Sequence, residues 1–192
     1  MVLLLVIGEV VASGLLVTIT TVAYVQSVVT PREWSPGRRI IAINEFFWSP
    51  NIVVDLSGLV HIAYADFQQK QVRFYYASVD VAAGSVANPV LICEYSVSPV
   101  APSLAVDREG NAHIAWLDGR ENGTEIYYAK IAKTLPSRVF EIRLSFNSTD
   151  CGEPCIAVDF DGNVHVVWHS KKGGVAITPL DYEVFYSKIN KH

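Results

Sequence analysis

The sequence predicts an all-β fold of three similar four-stranded sheets, preceded by one hydrophobic helix. Three observations lead to this prediction. A motif recurs every 52 residues in the chain of 192, each repeat contains short apolar runs of strand length, and the first 30 residues carry a single charged side chain, Glu9. Four short strands in a repeat of about 50 residues are typical of a blade of a β-propeller.

The N-terminal segment, residues 1–30, is predicted to be a membrane-anchoring helix. After Glu9 come 20 uncharged residues, 10–29, whose length as a helix matches the hydrocarbon core of a bilayer. A removed signal peptide or a buried helix is the alternative, although no Lys or Arg precedes the apolar run. The sequence therefore predicts a single-pass membrane protein whose partner through residues 10–29 is the lipid bilayer.

The sequence gives opposing indications about the side of the membrane on which the domain lies. Arginines within residues 32–39 follow the span and by themselves favour a cytoplasmic domain. Two Asn-x-Ser/Thr sequons, which begin at Asn122 and Asn147, favour the outside. We expect the domain to be extracytoplasmic because of the family resemblance given below.

The three cysteines allow two interpretations. Cys151 and Cys155, in the run CGEPC, are close enough in sequence to form a disulfide, although two reduced thiols fit the same spacing. Cys93 lies in the strand-like run VLICEY and is predicted to be a small buried apolar residue. Since no set of His and Cys has the spacing of metal ligands, neither a metal site nor a cofactor is expected.

The repeat organises the chain after a linker at residues 31–37. Equivalent residues lie 52 positions apart: Pro50, Pro102 and Pro154; Asp55, Asp107 and Asp159; Gly58, Gly110 and Gly162; His61, His113 and His165; and Tyr64, Trp116 and Trp168. Such a fixed period indicates tandem units of one supersecondary structure.

The domain at residues 38–192 is accordingly predicted to contain three blades, around residues 50–96, 102–145 and 154–192. The last blade lacks a fourth strand of its own, and the strand-like run at 38–46 is expected to complete a blade. The third unit also carries a six-residue insertion after its second strand.

The motif Asp-x-x-Gly predicts a tight turn between the first and second strands of each blade. An Asp at the first position of such a turn accepts hydrogen bonds from backbone N–H groups, and the Gly takes a left-handed conformation that a Cβ disfavours. The repeated Asp and Gly residues are therefore interpreted as structural.

The repeated histidines are interpreted in the same way. A catalytic histidine works in one asymmetric pocket, whereas His61, His113 and His165 occur once in each blade. We expect each to lie between packed blades and to bond a nearby backbone or carboxylate group. The aromatic residues three positions later are expected mainly to pack between blades.

Function is expected where the repeats differ. Loops between strands two and three lie at the same end of a blade as the connections between blades, because antiparallel strands alternate in direction. The residues predicted to face a ligand at this end are Trp48, Asp66, Asp118, Arg120, Trp168, His169 and Lys171. Such aromatic, acidic and basic groups suit a polysaccharide or a protein partner, whereas a solvated loop or an Asp118–Arg120 ion pair is the simpler alternative.

A family resemblance supports this outline. The run PSLAVDREGNAHIAWLDGRENGTEIYYAKI, residues 102–131, resembles the blade repeats of secreted or surface β-propellers of bacteria and archaea, of the NHL-like and sialidase-like kind. The pattern Asp-x-x-Gly-Asn begins at Asp107 and Asp159, whereas Leu59 replaces the Asn in the first unit. The spacing is one residue longer than that of a sialidase Asp box, so sialidase activity is not implied. The resemblance implies an extracytoplasmic binding platform.

Three functions remain open at this stage. The preferred one is a membrane-anchored binding or assembly domain without catalytic activity. A glycan-active hydrolase or lyase needs two carboxylates, and its candidate pairs are Asp66 with Asp118 and Glu153 with Asp181. A pilin-like filament subunit is the third, since Gly8-Glu9 resembles a prepilin junction. The net charge of −4 without a basic stripe excludes nucleic acid as a partner.

Self-association is the last expectation. Three blades are too few for a closed ring, because propellers have about four to eight. Two chains related by two-fold symmetry would make a six-bladed ring.

Overall fold

The computed structural model describes residues 5–12, 15–22, 39, 41, 50–68, 71–95, 100–121, 123–136, 139–146, 151–171 and 182–191. These residues contain 14 β-strands and no helix, which confirms the predicted all-β class. The chain divides into two compact units, Met1–Arg39 and Ile40–His192.

The first unit contains an antiparallel pair of strands, β1 (Leu5–Ala12) and β2 (Leu15–Val22), in which Ala12 lies opposite Leu15. This arrangement differs from the helix predicted for residues 1–30. The segment forms strands because of its local composition: residues 17–22 of β2 are six consecutive β-branched residues, which favour extended backbone. Among the described residues, no helix has the length and apolar character needed to cross a membrane.

The second unit contains three antiparallel sheets. Sheet 1 consists of β3 (Asn51–Val54), β4 (Val60–Gln68), β5 (Gln71–Asp80), β6 (Ser85–Val86) and β7 (Val90–Tyr95), with β6 and β7 both paired to β5. Sheet 2 has the order β8 (Val100–Val106), β9 (Ala112–Glu121), β10 (Gly123–Ile131) and β11 (Val139–Arg143). Sheet 3 has the order β12 (Cys155–Val158), β13 (Val164–Lys171) and β14 (Tyr182–Ile189).

The described part of sheet 3 contains no fourth strand beside β14. The strand predicted at 38–46 lies outside the described residues apart from Arg39 and Ile41, and the linker at 31–37 lies outside them entirely. The inserted residues of the third unit, between β13 and β14, are also mostly outside them.

The three sheets share one register. In each sheet the repeated histidine on the second strand lies opposite the same position of the first strand: His61 opposite Val53, His113 opposite Ala105, and His165 opposite Ala157. Because side chains alternate between the two faces of a strand, a common register places equivalent side chains on equivalent faces.

The core lies between successive sheets. Phe74 and Tyr76 of sheet 1 pack with Ile114 and Trp116 of sheet 2 in one cluster. The opposite face of sheet 2 packs on sheet 3 in a second cluster, which includes Ile126, Tyr128, Val166 and Trp168. Burial of these apolar faces stabilises the stack by roughly 25 cal/mol for each Å² removed from water.

Candidate functional site

The turns between the first and second strands are held by their aspartates. In sheet 2 the N–H of Gly110 donates to the carbonyl of Asp107 at 3.0 Å, and Gly110 has φ of 84°. Asn111 donates to the Asp107 carboxylate from its backbone N–H at 2.8 Å and from Nδ2 at 2.7 Å. Asp159, Gly162 and Asn163 repeat this geometry in sheet 3. The aspartates are therefore used to shape the turns.

Each repeated histidine lies between such an aspartate and a tyrosine on the third strand. Nε2 of His113 lies 3.2 Å from Oδ2 of Asp107, and Nδ1 lies 2.7 Å from the hydroxyl of Tyr128. A carboxylate only accepts hydrogen bonds, so Nε2–H donates to Asp107 and, in the neutral ring, Nδ1 accepts the Tyr128 proton. Asp159, His165 and Tyr186 form the equivalent hydrogen-bonded set in sheet 3. In sheet 1, Tyr76 is hydrogen-bonded to Nδ1 of His61, whereas Nε2 of His61 lies 3.5 Å from Asp55 and makes no hydrogen bond within the described residues.

The protonation of the central set follows from burial. Burial lowers the pKa of His113, although the Asp107 carboxylate opposes this shift. Burial also raises the pKa of Asp107, but hydrogen bonds from Asn111 and His113 more than offset that effect and leave the pKa lowered. The pKa of the buried Tyr128 is raised. Near neutral pH the set is therefore a fixed chain of a phenol, a neutral imidazole and a carboxylate.

The three sets differ in exposure. The side chains of His113 and Asp107 are each 3% exposed, whereas those of His165 and Asp159 are 32% and 33% exposed. Sheet 3 covers the set in sheet 2. In the part of the chain that the structure describes, no further sheet covers the set in sheet 3.

At the opposite end of sheet 2, Asp118 and Arg120 are bound to each other. The buried Asp118 carboxylate accepts hydrogen bonds from Nε1 of Trp116 at 3.1 Å and from Nη2 of Arg120 at 2.7 Å. Nη1 of Arg120 donates to Glu141 at 2.6 Å, and its guanidinium lies 4.0 Å from the ring centre of Tyr127. These contacts hold both side chains within the sheet instead of presenting them to a ligand.

A second polar network involves the buried Glu125. Nη2 of Arg143 donates to Glu125 at 2.6 Å, and the hydroxyl of Ser145 also donates to this carboxylate. The hydroxyl oxygen of Ser145 accepts hydrogen bonds from the N–H of Ile126 at 2.8 Å and from the thiol of Cys151 at 3.5 Å. Cys151 thus belongs to a structural network.

Cys151 and Cys155 are not bonded to each other in the structure. Cys151 is paired with Ser170 of β13 through an isolated antiparallel β-bridge of the backbone. Cys155 lies opposite Val167, which is three residues before Ser170 on β13. Because side chains alternate between the two faces of a strand, the odd separation of Val167 and Ser170 places the two thiols on opposite faces of sheet 3. Accordingly, Cys151 is buried whereas Cys155 is exposed. Cys93 is a buried thiol outside any disulfide among the described residues, and it packs in the core between sheets 1 and 2.

A cavity of about 310 Å³, here called the rim cavity, lies where the first strands of the three sheets begin. Its lining consists of Pro50, Asn51, Ala101, Pro102, Ser103, Glu153 and Pro154. The prolines occupy one repeated position, whereas the residues beside them differ among the three units. The rim cavity is therefore a concave surface made by the variable part of the repeat.

The backbone of this lining is irregular in sheet 2. Val100 lies opposite Leu117 and Ser103 lies opposite Ala115, so β8 carries one extra residue relative to β9. Ala101, within this bulge, has φ of 52°, the only positive φ of a non-glycine residue in the described ranges. Bulges and left-handed residues occur often beside functional sites, where they change the direction of a strand.

A larger cavity of about 490 Å³, here called the turn cavity, lies among the three Asp-x-x-Gly turns at the other end of the first strands. It is lined by equivalent positions of each unit: Val54–Leu56, Val106–Arg108 and Val158–Phe160. Its carboxylates are those that shape the turns, and the guanidinium of Arg108 lies 4.5 Å from the ring centre of Phe160. The turn cavity is thus made by the repeated framework.

The residues predicted to face a ligand are dispersed in the structure. Asp66 is buried in β4, and Trp168 is buried between sheets 2 and 3, where it stacks on Phe185. Lys171 lies 5.7 Å from the ring centre of Tyr182. Other residues of the sequence prediction lie outside the described residues: Trp48, Asn122, Asn147 and Asp181.

His169 contacts the segment that leads into the lining of the rim cavity. It is exposed, its carbonyl accepts a hydrogen bond from the N–H of Gly152 at 2.7 Å, and its ring meets Tyr182 edge to face. A Cβ at Gly152 would lie 1.8 Å from Nε2 of His169, so this packing requires glycine. His169 therefore flanks the segment that carries Glu153.

Sequence reasoning missed the rim cavity itself. The available signal was the contrast between constant Pro50, Pro102 and Pro154 and their neighbours, because Asn51 and Ser103 occupy equivalent positions but differ in chemistry. The hydrogen bonds that the third-strand tyrosines donate to the histidines were also not foreseen, although Tyr76 and Tyr128 follow the period of 52.

Comparison with known proteins gives little further identification. No protein family matches the chain. No curated protein has a significantly similar sequence. One solved structure with a related arrangement is an endo-arabinase from Bacteroides thetaiotaomicron, with a TM-score of 0.48 and 13% identity over 74% of this chain. The chain spans 56% of the length of that enzyme, and this degree of likeness assigns neither fold nor activity.

Proposed function

We propose that this chain is a membrane-attached, β-propeller-type binding domain that holds a polysaccharide at the rim cavity without cleaving it. The observation that carries the proposal is the position of the rim cavity. It lies where three equivalent strands begin, and it is lined where the repeats differ in chemistry.

The chemistry of the lining suits sugar hydroxyl groups. Asn51 supplies an amide, Ser103 a hydroxyl and Glu153 a carboxylate. Oγ of Ser103 accepts a hydrogen bond from the N–H of Ile156 at 3.2 Å, so its own proton remains available to a ligand. Proline side chains between these groups provide rigid apolar walls, and such a mixture is usual in ligand sites.

The propeller assignment is supported by the relation between the sheets. Each sheet repeats the register of the previous one, and the same face of sheets 1 and 2 packs on the next sheet. Successive antiparallel sheets that pack face to face around their first strands are the arrangement of propeller blades.

Binding without catalysis is supported by the use of the carboxylates. A glycosidase needs two carboxylates at a defined separation, and Glu153 is the one carboxylate among the described residues that line the rim cavity. Asp118 and Glu125 are buried and bound by arginines. A glycan-active hydrolase or lyase remains the competing proposal, and it predicts that shortened glycans are released during incubation.

Membrane attachment and an extracytoplasmic position complete the proposal. Their support comes from the sequence: residues 10–29 carry no charged side chain, although 15–22 form a strand in the structure, and sequons begin at Asn122 and Asn147. Protease added to intact cells that express the full chain should digest the domain. Protection until the cells are lysed would place the domain in the cytoplasm and contradict this part of the proposal.

A glycan array probed with the full chain tests the function. We expect binding to a restricted set of polysaccharide fragments, weaker binding by Glu153→Gln, and no new reducing ends during incubation. Glu109→Gln is a matched control, because Glu109 is an exposed carboxylate at the opposite, turn end of sheet 2. Release of shortened glycans would establish an enzyme, and equal binding by Glu153→Gln would remove the rim cavity from the proposal.

A further inference from the structure

One face of sheet 3, here called the tail face, is apolar and exposed. Val184 is 81% exposed and Tyr186 is 58% exposed, and Val167 lies opposite Tyr186 on β13. The equivalent residues of sheet 2 are Ala115, Ile126 and Tyr128, all of which are buried beneath sheet 3. The tail face therefore has the composition of a sheet-to-sheet interface, without a further sheet among the described residues to cover it.

Sheet 1 has an exposed part on its opposite side, here called the head face. Ile52 is 65% exposed and Val54 is 57% exposed, both on β3. The residue equivalent to Ile52 is Leu104 in sheet 2 and Ile156 in sheet 3, and both are buried against the preceding sheet. The head face thus corresponds to the other side of the same interface.

Ile41 adds an independent indication. It packs against the β4–β5 part of sheet 1, in the cluster of Ile62 and Val79. Ile41 precedes Cys93 by 52 residues, and Cys93, on the fourth strand of sheet 1, packs in the same way on sheet 2. Ile41 therefore occupies the place of a fourth-strand residue belonging to a sheet that would precede sheet 1.

We propose that the tail face of one copy of this chain packs on the head face of a second copy, and that two copies close into a ring of six sheets. The chain already forms this interface twice, between sheets 1 and 2 and between sheets 2 and 3. Both halves of a third such interface are exposed on one molecule, so a second copy supplies each missing partner. A heterologous contact of this kind forms a closed ring when its rotation closes.

The arrangement also accounts for the strand count. Sheet 3 ends at β14 in the described residues, and the residue in the fourth-strand position, Ile41, lies on sheet 1. In the ring, the segment at Ile41 of one copy adjoins β14 of the other and covers an open sheet edge. The half-exposed pair of His165 and Asp159 becomes as buried as His113 and Asp107.

Static light scattering of the full chain, with bound detergent subtracted, tests the proposal. The parent should have twice the chain mass of 21.2 kDa at micromolar concentration. Val184→Asp and Ile52→Asp should each give single chains, because each places a charge in one half of the interface. Leu135→Asp is the control, since Leu135 is 59% exposed but lies in the loop between β10 and β11 of the middle sheet.

A mixing experiment distinguishes the head-to-tail ring from a symmetric pair of tail faces. Val184→Asp has an intact head face and Ile52→Asp an intact tail face, so the mixture should regain two-chain species that neither variant forms alone. Circular dichroism verifies that each variant is folded, and Val167→Asp replaces Val184→Asp if the latter is not. A parent of single-chain mass, or a dimer that Ile52→Asp leaves intact, would overturn the proposal.

Discussion

Nδ1 of His113 lies 2.7 Å from the hydroxyl oxygen of Tyr128, and both side chains are buried in the middle sheet. Together with Asp107 at Nε2, this contact links the end of β8, the start of β9 and the middle of β10. The same three residue types are joined in sheet 3, and in sheet 1 His61 is bonded to Tyr76 and lies 3.5 Å from Asp55. The histidine that recurs in each repeat is therefore part of the framework, and the rim cavity contains the features that are not repeated.

His113→Ala should lower the free energy of unfolding by about 1–3 kcal/mol, because the buried Tyr128 hydroxyl loses its hydrogen bond to the histidine and the buried Asp107 carboxylate loses one of its donors. Urea denaturation followed by tryptophan fluorescence measures the change. His165→Ala is the matched control and should cost less, since water reaches Asp159 and Tyr186. Equal costs at the two positions would contradict the role of burial.

Stability should fall as the pH is lowered through the ordinary histidine range. Burial holds the pKa of His113 and of His61 below 6.5, so the unfolded chain takes up protons at a pH where the folded chain does not. The stability contribution is complete above about pH 6.5 and is lost on acidification toward the lower folded-state pKa values. The difference in unfolding free energy between ~pH 8 and ~pH 5.5 should be smaller in His113→Gln than in the parent. An unchanged difference would mean that folding does not shift the pKa of His113, which would contradict the effect of burial.

Gly58→Ala should destabilise the domain by roughly 1–2 kcal/mol, because Gly58 has φ of 86° and a Cβ disfavours that conformation. A Cβ at Gly58 would meet no atom within 4 Å, so the effect reports backbone strain alone. Thermal unfolding of Gly58→Asn provides the control, since Asn tolerates the left-handed region better than Ala. A loss in Gly58→Asn as large as that in Gly58→Ala would argue against this explanation.

Arg143→Met should cost about 3–5 kcal/mol, because it removes the cation from the buried Glu125 carboxylate. Lys191→Met removes an exposed partner of Glu109 and should leave the urea midpoint nearly unchanged. The double variant Glu125→Gln, Arg143→Met should recover part of the loss, because it leaves no uncompensated charge in the buried site. Failure of the double variant to improve on Arg143→Met would show that the pair is not coupled.

The turn chemistry and the strands were predictable because they depend on local residues. The spacing from Asp107 to Gly110 specifies a turn in which both residues have a geometric task. Alternating apolar residues such as Ile114 and Trp116 mark one face of a strand, and the structure places both in the core between sheets.

The polar contacts at the ends of the strands were predictable only in part. The sequence left open whether Asp118 and Arg120 face a ligand or pair with each other, and the structure has the ion pair. The contacts of Arg120 with Glu141 and Tyr127 on other strands have no such local signal. The N-terminal segment shows the same difficulty. Hydropathy favours a spanning helix, whereas the β-branched residues at 17–22 form a strand paired with β1.

The central claim is that the framework and the binding surface use different residues. Its most direct test is a paired measurement of glycan affinity and unfolding free energy for Glu153→Gln and His113→Ala, with a fragment selected on the array. Loss of a hydrogen bond to a charged group predicts a decrease in affinity of about tenfold or more for Glu153→Gln with unchanged stability. His113→Ala should show the reverse, a lower unfolding free energy with parental affinity under conditions where it is folded. Parental affinity in Glu153→Gln together with abolished binding in folded His113→Ala would contradict the account.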